Sequence, residues 1–240
     1  MTVESVLQHT VHPRYITAAS QVIDLGANCG AFAQRIVERF GCACIAVEPA
    51  PDLFADIPDG PKLRKLQLAI AGENGEIELQ LSERSTANSI FKRSGVHQDA
   101  VRVPCRTLDT FLADLGWEHV DLLKVDIEGA EIDMFMGCSD EALKGVGQIT
   151  VEFHDFIGLS TEAEVGAVLE RLTGLGFRSI RMSRKHNKDV WLINQPMTGI
   201  SDGELWRIEH MVRPWNHFLR RVGLKKRDKS GRSRRRLSHA

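Results

Sequence analysis

Val22-Ile23-Asp24-Leu25-Gly26-Ala27-Asn28-Cys29-Gly30 is the stretch whose reading decides the fold. Val22 to Leu25 is a short apolar run with the look of a strand. A glycine-bearing turn follows, then a helix-length amphipathic segment from Ala31 to Phe40, ended by Gly41. A strand–turn–helix of this kind places its turn at the carboxyl end of a strand. In a doubly wound sheet that edge is where ligands bind. Gly26 and Gly30 let the backbone approach a ligand without a side-chain clash.

The spacing does not suit a dinucleotide. A pyrophosphate turn is G-x-G-x-x-G, and here position 28 is Asn. The carboxylate of Asp24 would repel a pyrophosphate and suits a ligand that carries an amine or a sulfonium. S-adenosylmethionine carries both. Glu48 lies 20 residues after Asn28, at the end of a second apolar run, Cys42 to Val47. An acid at that place can accept hydrogen bonds from ribose hydroxyls. Asp24, Gly26, Asn28, Gly30 and Glu48 are therefore the expected cofactor-binding residues.

Working outward, apolar runs alternate with amphipathic segments as far as residue 193. Strands are expected at Leu66 to Ile70, Glu76 to Leu81, Val101 to Cys105, Val120 to Val125 and Gln148 to Phe153. Pro104 marks the Val101 run as an edge strand, because proline cannot donate within a sheet. Thr107 and Thr161 read as helix caps, and Ala130 to Met136 as a further helix. Phe177 to Met182 and Val190 to Ile193 flank a polar loop and read as a β-hairpin. The pattern implies an α/β fold with right-handed crossovers and helices on both faces. Its mostly parallel, Rossmann-like sheet of seven strands closes with an antiparallel C-terminal hairpin strand. The expected divisions are a lead segment 1–20, a main domain 21–195, a helical extension 196–221 and a basic tail 222–240.

At the acceptor side, Lys124, Asp126 and Glu128 alternate at the end of the fourth core strand and share one face if the chain stays extended. Asp126 could take a proton from an acceptor or hold the amino group of the cofactor. A Lys124–Asp126 ion pair that only pins the strand is the alternative. Glu131 reads as an acid at a helix start, where it suits the dipole. His154 ends the fifth strand, and its ordinary pKa of roughly 6.5 suits a general base. Asp126, His154 and Lys124 are the expected catalytic residues. Asp126, Glu152 and His154 are a weaker set of ligands for a divalent metal, which is not expected. Asn88 and Ser89, in the turn-rich segment Ser82 to Ser94, are weak candidates that ordinary turn chemistry explains equally well.

In these features the chain resembles the FkbM family of S-adenosylmethionine-dependent methyltransferases. The resemblance rests on Val22 to Gly30, Val47-Glu48-Pro49, Arg106-Thr107-Leu108-Asp109 and, most specifically, Leu123-Lys124-Val125-Asp126-Ile127-Glu128-Gly129-Ala130-Glu131. It covers roughly residues 20 to 155. It implies a class I methyltransferase fold and, typically, O-methylation of hydroxyls on sugars, glycolipids or polyketides.

Charge is unevenly spread. Arg220 to Ala240 carries ten basic residues against one acid, +9, which leaves −10 on the rest of a chain whose net charge is −1. An acidic body argues against a broad nucleic-acid footprint. The tail reads as solvated, or as an electrostatic contact with an anionic membrane, or as a recruiter of RNA. The Asn/Asp-Pro-Pro-Tyr/Phe element of adenine-amino methylases is missing after Asp126, which disfavours a nucleic-acid methylase. A non-catalytic S-adenosylmethionine-binding protein is a further rival. The five cysteines are odd in number and have no CxxC spacing, so they read as buried thiols in a reducing compartment. Met1 to Ser20 has no apolar h-region. The expected location is the cytoplasm, with the enzyme peripheral to the inner face of the membrane if the tail docks.

Overall fold

The computed structural model describes residues 3–80, 100–183 and 186–214. The turn-rich segment with Asn88 and Ser89 and the basic tail lie outside the described residues.

Along the chain, β1 (Glu4–Val6) and β2 (His9–Val11) form an antiparallel hairpin. There follow β3 (Gln21–Leu25), α1 (Ala31–Phe40), β4 (Ala43–Val47), α2 (Pro51–Asp56), β5 (Leu63–Leu66), β6 (Ala69–Ile70), β7 (Gly75–Gln80) and β8 (Ala100–Arg106). Next are α3 (Leu108–Leu115), β9 (Val120–Val125), α4 (Glu131–Gly137), α5 (Asp140–Lys144), β10 (Val146–Val151) and α6 (Glu162–Gly174). The hairpin of β11 (Phe177–Arg181) and β12 (Val190–Asn194) closes the sheet, and α7 (Gln195–Thr198) and α8 (Asp202–Arg207) follow. The main sheet has seven strands in the order β11-β12-β10-β9-β3-β4-β5, and β12 runs antiparallel to its neighbours β10 and β11. The order reverses between β3 and β9, and in such sheets the ligand crevice opens at that switch.

Two apolar layers sandwich the sheet. Ile23, Leu25, Leu123, Val125 and Ile149 face Phe111, Phe135 and Leu172 of α3, α4 and α6. Val22, Cys44, Ala46 and Leu122 face Phe32 and Ile36 of α1 and Val11 of the N-terminal hairpin. Each of the valine, leucine, isoleucine and phenylalanine side chains among them contributes about 1.5–3 kcal/mol when fully buried. Caps delimit the helices. Thr107 accepts from Thr110 N, and Thr161 with Glu164 makes a capping box at α6.

Two expectations are corrected. The third strand of the main sheet is Leu63–Leu66 rather than Leu66 to Ile70; the chain then breaks, and Ala69–Ile70 pairs with β8 in a separate three-stranded sheet. Its charged Arg64 and Lys65 hid β5 from an apolar-run reading. The strand bearing Pro104 is the middle of that small sheet, not an edge. The rule behind the expectation still holds locally. β6 pairs only with Cys105 and Arg106, so Pro104 has a ladder partner on one side, Glu76.

Residues 3–20 are built into this domain. His12 N donates to Gln148 Oε1 at 2.9 Å, and Thr10 N and Oγ1 donate to Asp189 at 3.0 and 2.8 Å. Among the described residues, no helix is long and apolar enough to cross a membrane.

Candidate active site

The loop after β3 is folded by its own backbone. Gly26 N and Ala27 N both donate to Val47 O at 3.0 Å, so the turn is tied to the end of β4. Gly26 has a φ of 72°, and a Cβ there would stand 1.7 Å from Asp126 O. Only glycine permits this approach of the loop to the segment after β9. Gly30 has a φ of 75° and would place a Cβ 2.9 Å from Ile57 Cγ2. Asn28 adopts a left-handed φ of 54°, which Asn tolerates better than most side chains.

Under the loop lies a buried ion pair. Asp24 and Lys124 are register partners on β3 and β9, with Lys124 Nζ 2.8 Å from Asp24 Oδ1. The same ammonium donates to Leu25 O at 3.2 Å and Gly26 O at 2.8 Å, and stands 3.9 Å from Asp126. Asp24 Oδ2 accepts from Ala33 N at 3.2 Å, in the first turn of α1. Burial works against the Lys124 charge, but the combined pull of Asp24, Asp126 and Glu48 raises its pKa. Lys124 therefore stays an ammonium that staples the loop to the sheet.

A cleft with about 680 Å³ of open space, its solvent mouth included, runs between the ends of β3, β4 and β9 and the small sheet. Gly26, Asn28, Glu48, Asp126 and Glu128 line it, together with apolar Leu53, Leu68, Ile70, Ile77 and Leu79. Asp24, Gly30 and Lys124 do not: they shape the loop from beneath. Glu48 Oε2 accepts from Asn28 N at 2.8 Å and Oε1 from Ala50 N at 3.0 Å. Burial pushes its pKa up to about 7 although both amides pull the other way.

At one end of the cleft the acids converge with two histidines. β9 ends at Val125, and the chain turns at Glu128, with a φ of 53°, and Gly129, so Lys124, Asp126 and Glu128 do not continue one extended face as the sequence suggested. Glu131 does begin α4, but it is fully buried, and its Oε1 accepts from Ile127 N at 3.0 Å and Gly129 N at 3.2 Å. It is the pin of this turn rather than a surface partner of the helix dipole. His154 Nδ1 lies 2.9 Å from the same oxygen. His154 Nε2 stands 3.7 Å from Asp126 Oδ1 and 3.6 Å from Glu128 Oε2. His9, from the N-terminal hairpin, places Nε2 3.6 Å from Asp126 Oδ2, with Phe32 edge-on to its ring. Ligand atoms of His9, Asp126 and Glu152 fall within 4.8 Å of one another, as do those of Asp126, Glu128 and His154.

These contacts set the charges. Burial would raise Asp126, but Lys124, His9 and His154 hold it well below the usual carboxylate range. Burial lowers His154, yet the hydrogen bond to Glu131 and the nearby acids win and lift it to about 9. Burial raises Glu128 to about 7 and raises Glu152 as well, with Asp126 adding to both. His154 is thus an imidazolium at neutral pH, while burial makes Glu128, at about 7, and Glu152 more basic than ordinary carboxylates. His9 and Glu131 gave no sequence signal as site residues. His9 sits in a short polar stretch far from the motifs, and only the hairpin's fold brings it in.

Residues 24–179 match the profile of the family described as the methyltransferase FkbM domain. The AMB antimetabolite synthetase AmbE of Pseudomonas aeruginosa is 33% identical over 129 residues, which are 53% of this chain and only 6% of that much longer protein. The 2-O-methyltransferase NoeI of Sinorhizobium fredii is 27% identical over 171 residues, covering 63% of this chain and 70% of NoeI. The solved structure of Aeropyrum pernix fibrillarin with natively bound S-adenosyl-L-methionine covers 74% of this chain and 66% of its own, at 11% identity and a TM-score of 0.42. With the family profile spanning well over half of its length, the Asp24 to Gly30 loop included, the chain belongs to the FkbM methyltransferase family.

Proposed function

We propose that the protein transfers a methyl group from S-adenosylmethionine to a hydroxyl of a sugar, glycan, glycolipid or polyketide-like acceptor. The observation that carries this is one cleft with a close-approach glycine loop, a ribose-type carboxylate and an acidic far end. The cofactor fits the residues present. Glu48 keeps lone pairs beyond its two amide contacts for hydroxyl donors, and Leu53, Leu68, Ile77 and Leu79 offer an apolar slot for a base. Asp126 and Glu128 face the same space and suit an amine and a sulfonium. When bound, the cofactor supplies an electrophilic methyl group.

The chain's own residues do the rest. Lys124 and Asp24 hold the loop in shape. Asp126, kept ionised, orients positive charge. Glu128, raised to about 7, is matched to take the proton of an acceptor hydroxyl near neutral pH, and Glu152, also raised by burial, stands beside Asp126 as a second acceptor. His154 steadies the negative charge of these acids. NoeI, whose name denotes 2-O-methylation, supports an oxygen acceptor, and Glu128 and Gly129 after β9 are consistent with that reading.

The test is transfer from methyl-labelled S-adenosylmethionine to a panel of hydroxylated glycosides, with amines and oligonucleotides alongside. Label that survives mild alkali on a glycoside, as an ether does, supports the proposal. Label only on amines or nucleic acid contradicts it.

A further inference from the structure

We propose that Asp126, Glu128 and His154 form a site for one divalent first-row cation, best matched by Mn²⁺, at the acid end of the cleft. The inference rests on the methyltransferase reading for its purpose but not for its geometry.

Three observations carry it. The first is spacing. His154 Nε2 stands 3.7 Å from Asp126 Oδ1 and 3.6 Å from Glu128 Oε2. These gaps are too long for hydrogen bonds. They are close to the separation of ligand atoms around a cation whose bonds are about 2.0–2.2 Å, which is about 3–3.6 Å. The second is orientation. His154 is 3% exposed, and its Nδ1 is fixed by Glu131, itself fully buried. A carboxylate behind one ring nitrogen is the usual way a metal-binding histidine is aimed, with the other nitrogen presented forward. Here the forward nitrogen faces two carboxylates, and it gives up its proton when the cation binds. The third is charge. Asp126, Glu128, Glu131 and Glu152 gather at this end, facing His9, His154 and the Lys124 ammonium, which Asp126 shares with the closer Asp24. With Glu131 fully buried and the other three half-buried, carboxylates outnumber the cationic side chains here, which favours a further cation.

The donor set narrows the metal. One imidazole with two carboxylates is harder than a zinc–thiolate site and softer than an all-oxygen magnesium site. Three protein ligands leave positions open, as catalytic metal sites do. Two of the ligands, Asp126 and Glu128, line the cleft, so the open positions face an acceptor. A hydroxyl bound there is acidified. Its O–H bond breaks and the proton passes to the Glu152 carboxylate, which is the base once the cation holds Glu128. The freed oxygen pair forms the new O–CH₃ bond, and the C–S bond of the sulfonium donor breaks with its pair kept on sulfur.

The experiment is titration of the chelator-treated full chain with Mn²⁺ alone, followed by calorimetry and electron spin resonance. Expected are one equivalent bound and a nitrogen coupling from an imidazole. His154→Gln should remove the coupling, Glu128→Gln should weaken binding, and Glu131→Gln should weaken it about 10–100-fold. Circular dichroism confirms that each variant is folded, and Glu128, the most exposed of the ligands, provides a variant that tolerates substitution. A folded wild-type chain that binds no Mn²⁺ overturns the proposal, as does binding unchanged in both His154→Gln and Glu128→Gln. S-adenosylmethionine binding is measured on the same metal-free sample. If the cofactor binds and Mn²⁺ does not, the cation site fails and the methyltransferase reading stands; the converse result leaves the site and removes that reading.

Discussion

Lys124 Nζ lies 2.8 Å from Asp24 Oδ1, and this pair sits on one rung of the sheet directly beneath the glycine loop. Both side chains are buried, and the ammonium also donates to the carbonyls of Leu25 and Gly26. The pair is therefore structural in its contacts and functional in what it shapes. Removing one partner leaves the other charge buried without compensation.

Lys124→Ala is thus expected to cost about 3–5 kcal/mol. For a domain of this size that lowers the melting temperature by about 6–20 °C. The joint replacement Asp24→Asn with Lys124→Met should cost less than Lys124→Ala alone, because no lone charge remains. Thermal unfolding of the three proteins checks this. A Lys124→Ala protein that melts with the wild type would show that the pair does not hold the loop.

Gly26→Ala tests the loop from above. The added Cβ would meet Asp126 O at 1.7 Å, and the backbone there has a φ of 72°. The loop must shift, so cofactor binding should fall at least tenfold, with a lower melting temperature. Wild-type affinity and stability in this variant would mean that the loop does not pack against the segment after β9.

Glu48 predicts a pH dependence. Its folded pKa of about 7 lies above the ordinary 4.5, so folding favours the protonated form. Between those values the unfolded chain loses this proton first, and stability falls as pH rises from about 4.5 through 7. Glu48→Gln removes that contribution, so the difference in stability between variant and wild type should move in the variant's favour across the same window. Denaturant unfolding at several pH values measures it. Parallel curves would contradict the raised pKa.

Thr161→Ala serves as a control remote from the cleft. Thr161 accepts from Glu164 N at 3.2 Å and closes the capping box of α6. Its loss should cost about 1 kcal/mol and leave cofactor affinity unchanged. A change in affinity would mean that α6 stability is coupled to the site.

Much of this was legible in the sequence for a physical reason. Val120, Leu122, Leu123 and Val125 marked β9 because that strand is buried at the centre of the sheet, and it emerges at the expected residues. Thr107 and Thr161 were readable because a cap is a local device. What escaped reading depends on distance in the chain. Lys124 was weighed as a partner of Asp126, two residues away, but its close partner is Asp24, a hundred residues earlier. His9 meets Asp126 only because the hairpin lies on the sheet, and no local pattern marks it. Glu131 looks like an ordinary helix-start acid, and its burial against His154 is a tertiary fact.

The central claim is that this cleft binds S-adenosylmethionine, and calorimetric titration of the full chain with S-adenosylmethionine and its demethylated product, beside Glu48→Ala, tests it most directly. One molecule of each ligand should bind per wild-type chain, and Glu48→Ala should bind at least tenfold more weakly while remaining folded. A folded wild-type protein that binds neither ligand would contradict the claim.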